Sequence, residues 1–200
     1  MDKDGVLFTA VPLFAGAVGA YFGIWVLAGA FLLLAAFMVF FFRDPKRLTP
    51  SDESLVVSSA DGKVTKVEER DEGMFVSVFL SPFDVHMNRS PISGSVRDVK
   101  MFKGQKRPAT SNSASTTNER NAVTIVGPKM TVTCTQIVGI LARRIVCRAQ
   151  KGDELAVGQK FGLIRFGSRT DLLMPKGVSV LVKPGDRVRG GETVIAKLDS

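Results

Sequence analysis

The hydrophobic pattern changes character once along the chain. Residues 6–42 carry no charged side chain. An upright spanning helix needs about 20 apolar residues, so this run is long for one span and just sufficient for two short ones. Glycine is a weak helix former, and a break is expected near residues 19–23. The first half, VLFTAVPLFAGAVGAYFG, holds Pro12, Gly16 and Gly19, and the second, IWVLAGAFLLLAAFMVFFF, is more strongly apolar. One tilted span and a re-entrant hairpin are the other arrangements open. After residue 42, short β-branched and apolar runs recur between turn signals. They predict strands over 55–59, 63–68, 74–80, 94–102, 122–127, 130–140, 144–149, 160–166, 178–182 and 193–197. Asp61-Gly62, Gly127-Pro128, Pro184-Gly185-Asp186 and Gly190-Gly191 supply turns. No sustained helical period follows residue 42. Residues 103–121, KGQKRPATSNSASTTNERN, predict a mobile polar loop, of a length often tied to function.

The fold class that follows is a mainly β soluble domain behind an apolar transmembrane or hairpin helical segment. The anchor is expected over 1–42 and the β-rich domain over 43–200. Asp61-Gly-Lys-Val and the tail VSVLVKPGDRVRGGETVIAKL both resemble pieces of a barrel-sandwich, with two related β halves. No lysine sits in a carrier motif, so these turns read as architecture.

Charge separates the two parts further. The chain has 27 Lys+Arg and 19 Asp+Glu, a formal net charge of +8. Asp2, Lys3 and Asp4 lie before the apolar run, so the part after residue 42 is net +9. The run ends at Arg43-Asp-Pro-Lys-Arg47. By the positive-inside rule that end is cytoplasmic, which puts the β domain on the cytoplasmic face of the cell membrane. A basic domain there faces an anionic membrane surface. Nucleic acid is not the expected partner, because the Lys and Arg are scattered and aromatics are sparse after residue 42.

Rare residues narrow the chemistry. There is one histidine, His86, and there are two cysteines, Cys134 and Cys147. A zinc site needs about four N, S or O ligands, and neither CxxC nor HExxH occurs, so no metal is expected. The two cysteines read as buried small hydrophobes. Gly167-Ser168 is a candidate for backbone chemistry. Glycine admits unusual φ/ψ, and such a peptide can store strain. A serine hydroxyl aimed at the preceding carbonyl can convert the amide to an ester. β-Elimination and hydrolysis then leave a pyruvoyl group. His86, with an unperturbed pKa near 6.5, is the acid/base candidate. Arg89, Arg165 and Arg169 are candidates to hold a phosphate or carboxylate, which guanidinium binds bidentately.

KFGLIRFGSR, SPFDVHMNRSPISG, SSADGKV, the RDPKR after an apolar segment, and Asn118-Glu-Arg-Asn121 occur together in one order. The chain resembles the phosphatidylserine decarboxylase family in its short, prokaryotic form, over essentially its whole length. The resemblance implies a proenzyme that cuts itself between Gly167 and Ser168. Residues 1–167 and 168–200 then form a heterodimer of the chain's own two pieces. Ser168 becomes a pyruvoyl cofactor, which forms a Schiff base with phosphatidylserine and serves its decarboxylation to phosphatidylethanolamine. It also implies a role for Asp61 in an Asp-His-Ser arrangement for self-cleavage, with the logic of the hydrolytic triad. Longer members carry a second histidine where this chain has Arg89, so the base for cleavage stays open. Two other readings stand beside this one. The substrate could be another serine phospholipid, such as an archaeal ether lipid. Alternatively, the chain could be a non-enzymatic membrane-anchored barrel-sandwich adaptor or carrier.

Overall fold

The computed structural model describes residues 5–111, 113–140, 144–165 and 167–199. Residues 1–4 of the expected anchor and Phe166 of the expected 160–166 strand lie outside them. The chain divides into two compact units, residues 1–46 and 47–200.

The first unit is a helical hairpin. Helices α1 (Gly5–Tyr21) and α2 (Trp25–Phe41) are joined by a turn in which Gly23 takes φ +72°. Gly16 and Gly19 let α1 approach α2 closely. A Cβ on Gly19 would stand 3.3 Å from the Ala28 nitrogen, and one on Gly16 3.4 Å from the Ala28 carbonyl oxygen. Small residues at a crossing allow the backbone packing that apolar helices depend on. Large side chains face outward: Phe14, Trp25, Val26 and Leu33 are 72% to 89% exposed. Each helix has 17 residues, about 25 Å at 1.5 Å per residue. No helix among the described residues is long and apolar enough to cross a membrane.

The second unit is mainly β. In chain order it runs β1 (Leu55–Val57), β2 (Gly62–Arg70), β3 (Gly73–Leu80), β4 (Met87–Arg89), β5 (Gly94–Phe102), a short α3 (Ala114–Thr117), β6 (Arg120–Val126) and β7 (Thr131–Val138). It continues with β8 (Ile145–Cys147), β9 (Glu154–Leu155), β10 (Lys160–Ile164), β11 (Ser168–Met174), β12 (Val178–Val180), β13 (Arg187–Val188) and β14 (Val194–Leu198). The main sheet is antiparallel and curled, in the order β13-β2-β3-β11-β7-β6-β5-β9. Two small sheets, β1-β14-β12 and β4-β10-β8, accompany it. The two segments whose sequences resemble barrel-sandwich pieces pair with each other: Gly62 and Lys63 of β2 lie opposite Val188 and Arg187 of β13. The core gathers alternate residues of the strands: Val64, Val76, Val78, Val123, Ile125, Val132, Cys134, Leu172 and Met174 pack with Val56, Phe161 and Ile195.

The strand positions relevant to chemistry differ from the sequence expectation. The 160–166 run ends as a strand at Ile164. Ser168 does not close that strand; it opens β11, in the middle of the main sheet. The expected mobile loop is shorter and more ordered than its composition implied. β5 reaches Phe102, β6 starts at Arg120, and α3 forms between them. Buried Asn118 closes the excursion: its Nδ2 donates to the carbonyls of Arg107 and Val138, each at 2.9 Å.

Candidate active site

Gly167, half-buried, leads into Ser168, which is buried at the start of β11. Ser168 is paired with Leu80 of β3 on one side and Val138 of β7 on the other. It has no solvent exposure, and its hydroxyl has no hydrogen-bond partner among the described residues. A buried unsatisfied hydroxyl costs about 1–3 kcal/mol. Such a group in a folded protein calls for a reason beyond packing. Gly167 takes φ +57°, the left-handed region that glycine enters without a Cβ penalty. Its carbonyl oxygen lies against Gly139, where a Cβ would come within 2.4 Å of it. Two glycines, 28 residues apart in sequence, thus permit one turn.

His86 reaches the same turn from the other layer. It is 2% exposed, just before β4. The Gly167 N–H donates to His86 Nε2 at 3.3 Å, and His86 Nδ1 lies 2.9 Å from the Asp84 carbonyl oxygen. A carbonyl can only accept, so the proton sits on Nδ1 and Nε2 keeps its lone pair. The sequence supplies the support for this carbonyl. The Asp84 carboxylate accepts from the Ser81 N–H at 2.8 Å and the Ser81 hydroxyl at 2.7 Å, which closes the 81–84 turn. Arg187, beyond the Gly167–Ser168 junction in sequence, pairs with the other carboxylate oxygen at 2.9 Å. Asn88, two residues after His86, continues the contact. Its Nδ2 donates to the Thr170 hydroxyl, and its Oδ1 accepts from Gln136, which in turn accepts from Asn121.

The remaining candidates sit elsewhere. Both carboxylate oxygens of Asp61 accept from Arg47 Nη2, at 2.9 and 2.7 Å, and Oδ1 also accepts from the Gly190 N–H at 2.8 Å. Arg47, the last residue of the expected basic stop, is thereby buried in an ion pair, with Glu192 as a second acceptor. The Leu48 N–H and the Arg47 charge hold the Glu192 carboxyl below its ordinary range. Arg89 donates to the Gly158 carbonyl at 3.0 Å. Arg169 points to the opposite face of the sheet from Ser168. There its Nε meets Asp171 at 2.6 Å, and its other nitrogens meet Ser115 and Ser111 of the polar excursion. Arg165 is half-buried beside the turn, and its N–H donates to the Arg144 carbonyl. The structure therefore brings His86, Gly167 and Ser168 together. It gives Asp61, Arg89 and Arg169 other neighbours.

An apolar cavity of about 280 Å³ opens at Gly167, lined by Phe79, Pro82, Pro108, Ala109, Thr110, Gly139 and Ile140. Among the described residues no cluster of His, Cys, Asp and Glu could hold a metal ion. Cys134 and Cys147 are both free thiols. Sequence reasoning missed Asp84, Gly139 and the Asn88–Gln136–Asn121 chain. Amide side chains within strands were the available signal for the last of these.

The fold and site define a β-rich protein with a buried serine after a left-handed glycine whose N–H meets a buried histidine. The profile of the family described as phosphatidylserine decarboxylase matches residues 34–196. A phosphatidylserine decarboxylase proenzyme from Carboxydothermus hydrogenoformans is 44% identical, over 99% of this chain and 96% of its own. Proenzymes of the same name from Geotalea uraniireducens and Nitrosomonas eutropha are 43% and 41% identical, each over 98% of this chain. The chain belongs to the phosphatidylserine decarboxylase family.

Proposed function

We propose that this protein is a self-processing decarboxylase that converts phosphatidylserine to phosphatidylethanolamine. The observation that carries the reading is the Gly167–Ser168 junction: a buried hydroxyl without a partner follows a left-handed glycine whose N–H meets His86 Nε2. These groups fit the formation of a pyruvoyl group from Ser168. The Ser168 hydroxyl has no competing hydrogen bond to break. His86 is held in the tautomer whose Nε2 lone pair, on release of the Gly167 N–H, can accept its proton. Attack of Ser168 Oγ on the Gly167 carbonyl carbon turns the amide into an ester. The hydroxyl proton passes to the freed Ser168 amine, and transfer of the Ser168 Cα proton to His86 then expels the Gly167 carboxylate. The dehydroalanine left at residue 168 takes up water and releases ammonia.

The pyruvoyl group so formed supplies an electrophilic carbonyl for the substrate amine and an electron sink for the pair released with CO2. The chain's own residues do the rest. The apolar cavity beside Gly167 keeps water from the reacting headgroup. His86 remains as the acid that returns a proton to the carbon that lost CO2. Arg165 is our assignment for the anionic headgroup, because it lies two residues before Gly167 and guanidinium binds phosphate and carboxylate bidentately. Asp61 serves the Arg47 ion pair, and the Asp84 carbonyl does the orienting that a triad aspartate does elsewhere.

After cleavage the two pieces stay interlaced as a heterodimer. β11 lies between β3 and β7, β13 pairs with β2, and β14 with β1. The hairpin's apolar exterior supports attachment to the cell membrane, and the basic residues that follow it favour the cytoplasmic face. The test is conversion of phosphatidylserine in vesicles by the purified full chain. The account expects phosphatidylethanolamine and CO2 from the wild type, and a single uncut, inactive chain from Ser168→Ala. A Ser168→Ala protein that still splits and still decarboxylates would contradict it.

A further inference from the structure

We infer that the β domain touches the lipid bilayer itself, through the rim of the Gly167 cavity, in addition to the hairpin. This rests on the decarboxylase reading and extends it to how that site meets its substrate. Two large exposed apolar side chains belong to the cavity lining or directly follow it in sequence. Phe83, at the tip of the 81–84 turn and next to the cavity-lining Pro82, is 69% exposed; Ile140, at the end of β7 and part of the lining, is 61% exposed. Between them the walls are almost wholly apolar, with Phe79, Pro108 and Ala109 contributing. An exposed phenylalanine and isoleucine beside an open apolar cavity mark an interaction site.

Charge identifies the occupant as an anionic lipid surface. The segment that supplies Pro108 and Ala109 carries exposed Lys103, Lys106 and Arg107, and Arg144 is exposed beyond Ile140. From residue 102 to 118, and from 139 to 152, the sequence contains no Asp or Glu. Asp84 is the one acid between residues 79 and 90, and it is paired with Arg187. Exposed apolar side chains on segments that are basic and poor in acids match acyl chains below a layer of anionic headgroups.

The chain's single tryptophan, Trp25, makes the test direct. Trp25→Phe combined with Phe83→Trp moves the only indole to the rim. The full-length variant is reconstituted in vesicles containing anionic phospholipid, with and without lipids brominated near the carbonyl region. The proposal expects blue-shifted emission that brominated lipid quenches, and less of both in vesicles of neutral lipid alone. Emission of a water-exposed indole, unquenched while the same sample still forms phosphatidylethanolamine, would overturn the docking surface and leave the decarboxylase reading intact. Identical emission in neutral and anionic vesicles would overturn it as well. So would a blue shift that follows protein density without bromine quenching, since the occupant would then be a second copy of the chain. Absence of product from the wild type would instead strike the decarboxylase reading.

Discussion

Replacing Gly167 with alanine tests the turn on which the chemistry depends. Gly167 has φ +57°, and among the described residues no atom outside its own chain neighbours lies within 4 Å of the place a Cβ would take. Alanine therefore meets no clash, and its penalty is conformational. An L residue in the left-handed region costs about 1–2 kcal/mol. Making the change in a Ser168→Ala background keeps both proteins uncut, so stability alone is compared. A protein of this size loses roughly 2–4 °C of Tm per kcal/mol. Gly167→Ala should thus lower Tm by about 2–8 °C, read by circular dichroism on the detergent-solubilised full chain. An unchanged Tm would refute a left-handed residue 167. A fall well beyond this range would refute the open space around it. With Ser168 present, the same change should slow self-cleavage and let precursor accumulate, because relaxing φ turns the Gly167 N–H away from His86.

Other perturbations separate the roles of the acidic groups and thiols. Asp84→Ala removes the carboxylate that holds the 81–84 turn, and loss of hydrogen bonds worth about 1.5–3 kcal/mol should lower kcat tenfold or more. Asp84→Asn keeps one acceptor oxygen and should retain most of the rate, and equal losses in the two variants would count against the positioning role. Asp61→Asn breaks the Arg47 pair, whose side chains are 7% and 16% exposed; it should destabilise by about 2 kcal/mol while cleavage continues. Lost cleavage at unchanged Tm would instead put Asp61 in the chemistry. Burial pushes the Cys134 thiol up to about 12 and raises that of Cys147 as well. Neither should be alkylated by iodoacetamide at neutral pH until the protein is denatured, and rapid labelling of native Cys134 would refute its burial.

What could be read from the sequence depended on whether the signal was local. The hairpin break announced itself by glycine within an apolar run, and β5 by valines in a run bounded by turn signals. β11 left no such trace. In SRTDLLM the first four side chains are polar, yet both faces are buried. Thr170 is satisfied by Asn88 on one face, and Arg169 and Asp171 neutralise each other on the other. Burial by pairing is invisible to a hydrophobicity pattern. The polar excursion between β5 and β6 misled for the same reason, since Asn118 makes its bonds to residues 11 and 20 positions away. Ser168 and His86 were legible as residue types in motifs. Their meeting was not, because 81 positions separate Gly167 from His86. Gly139 carries no motif, and its role is a backbone contact that only the folded sheet creates.

The most direct test of the central claim is the mass of the small piece of the purified wild-type protein. The account predicts a fragment that begins at residue 168, resists Edman degradation and is lighter by one ammonia than the peptide from Ser168 to Ser200. An intact 21.6 kDa chain in active protein, or a fragment that begins with a free serine, would contradict it.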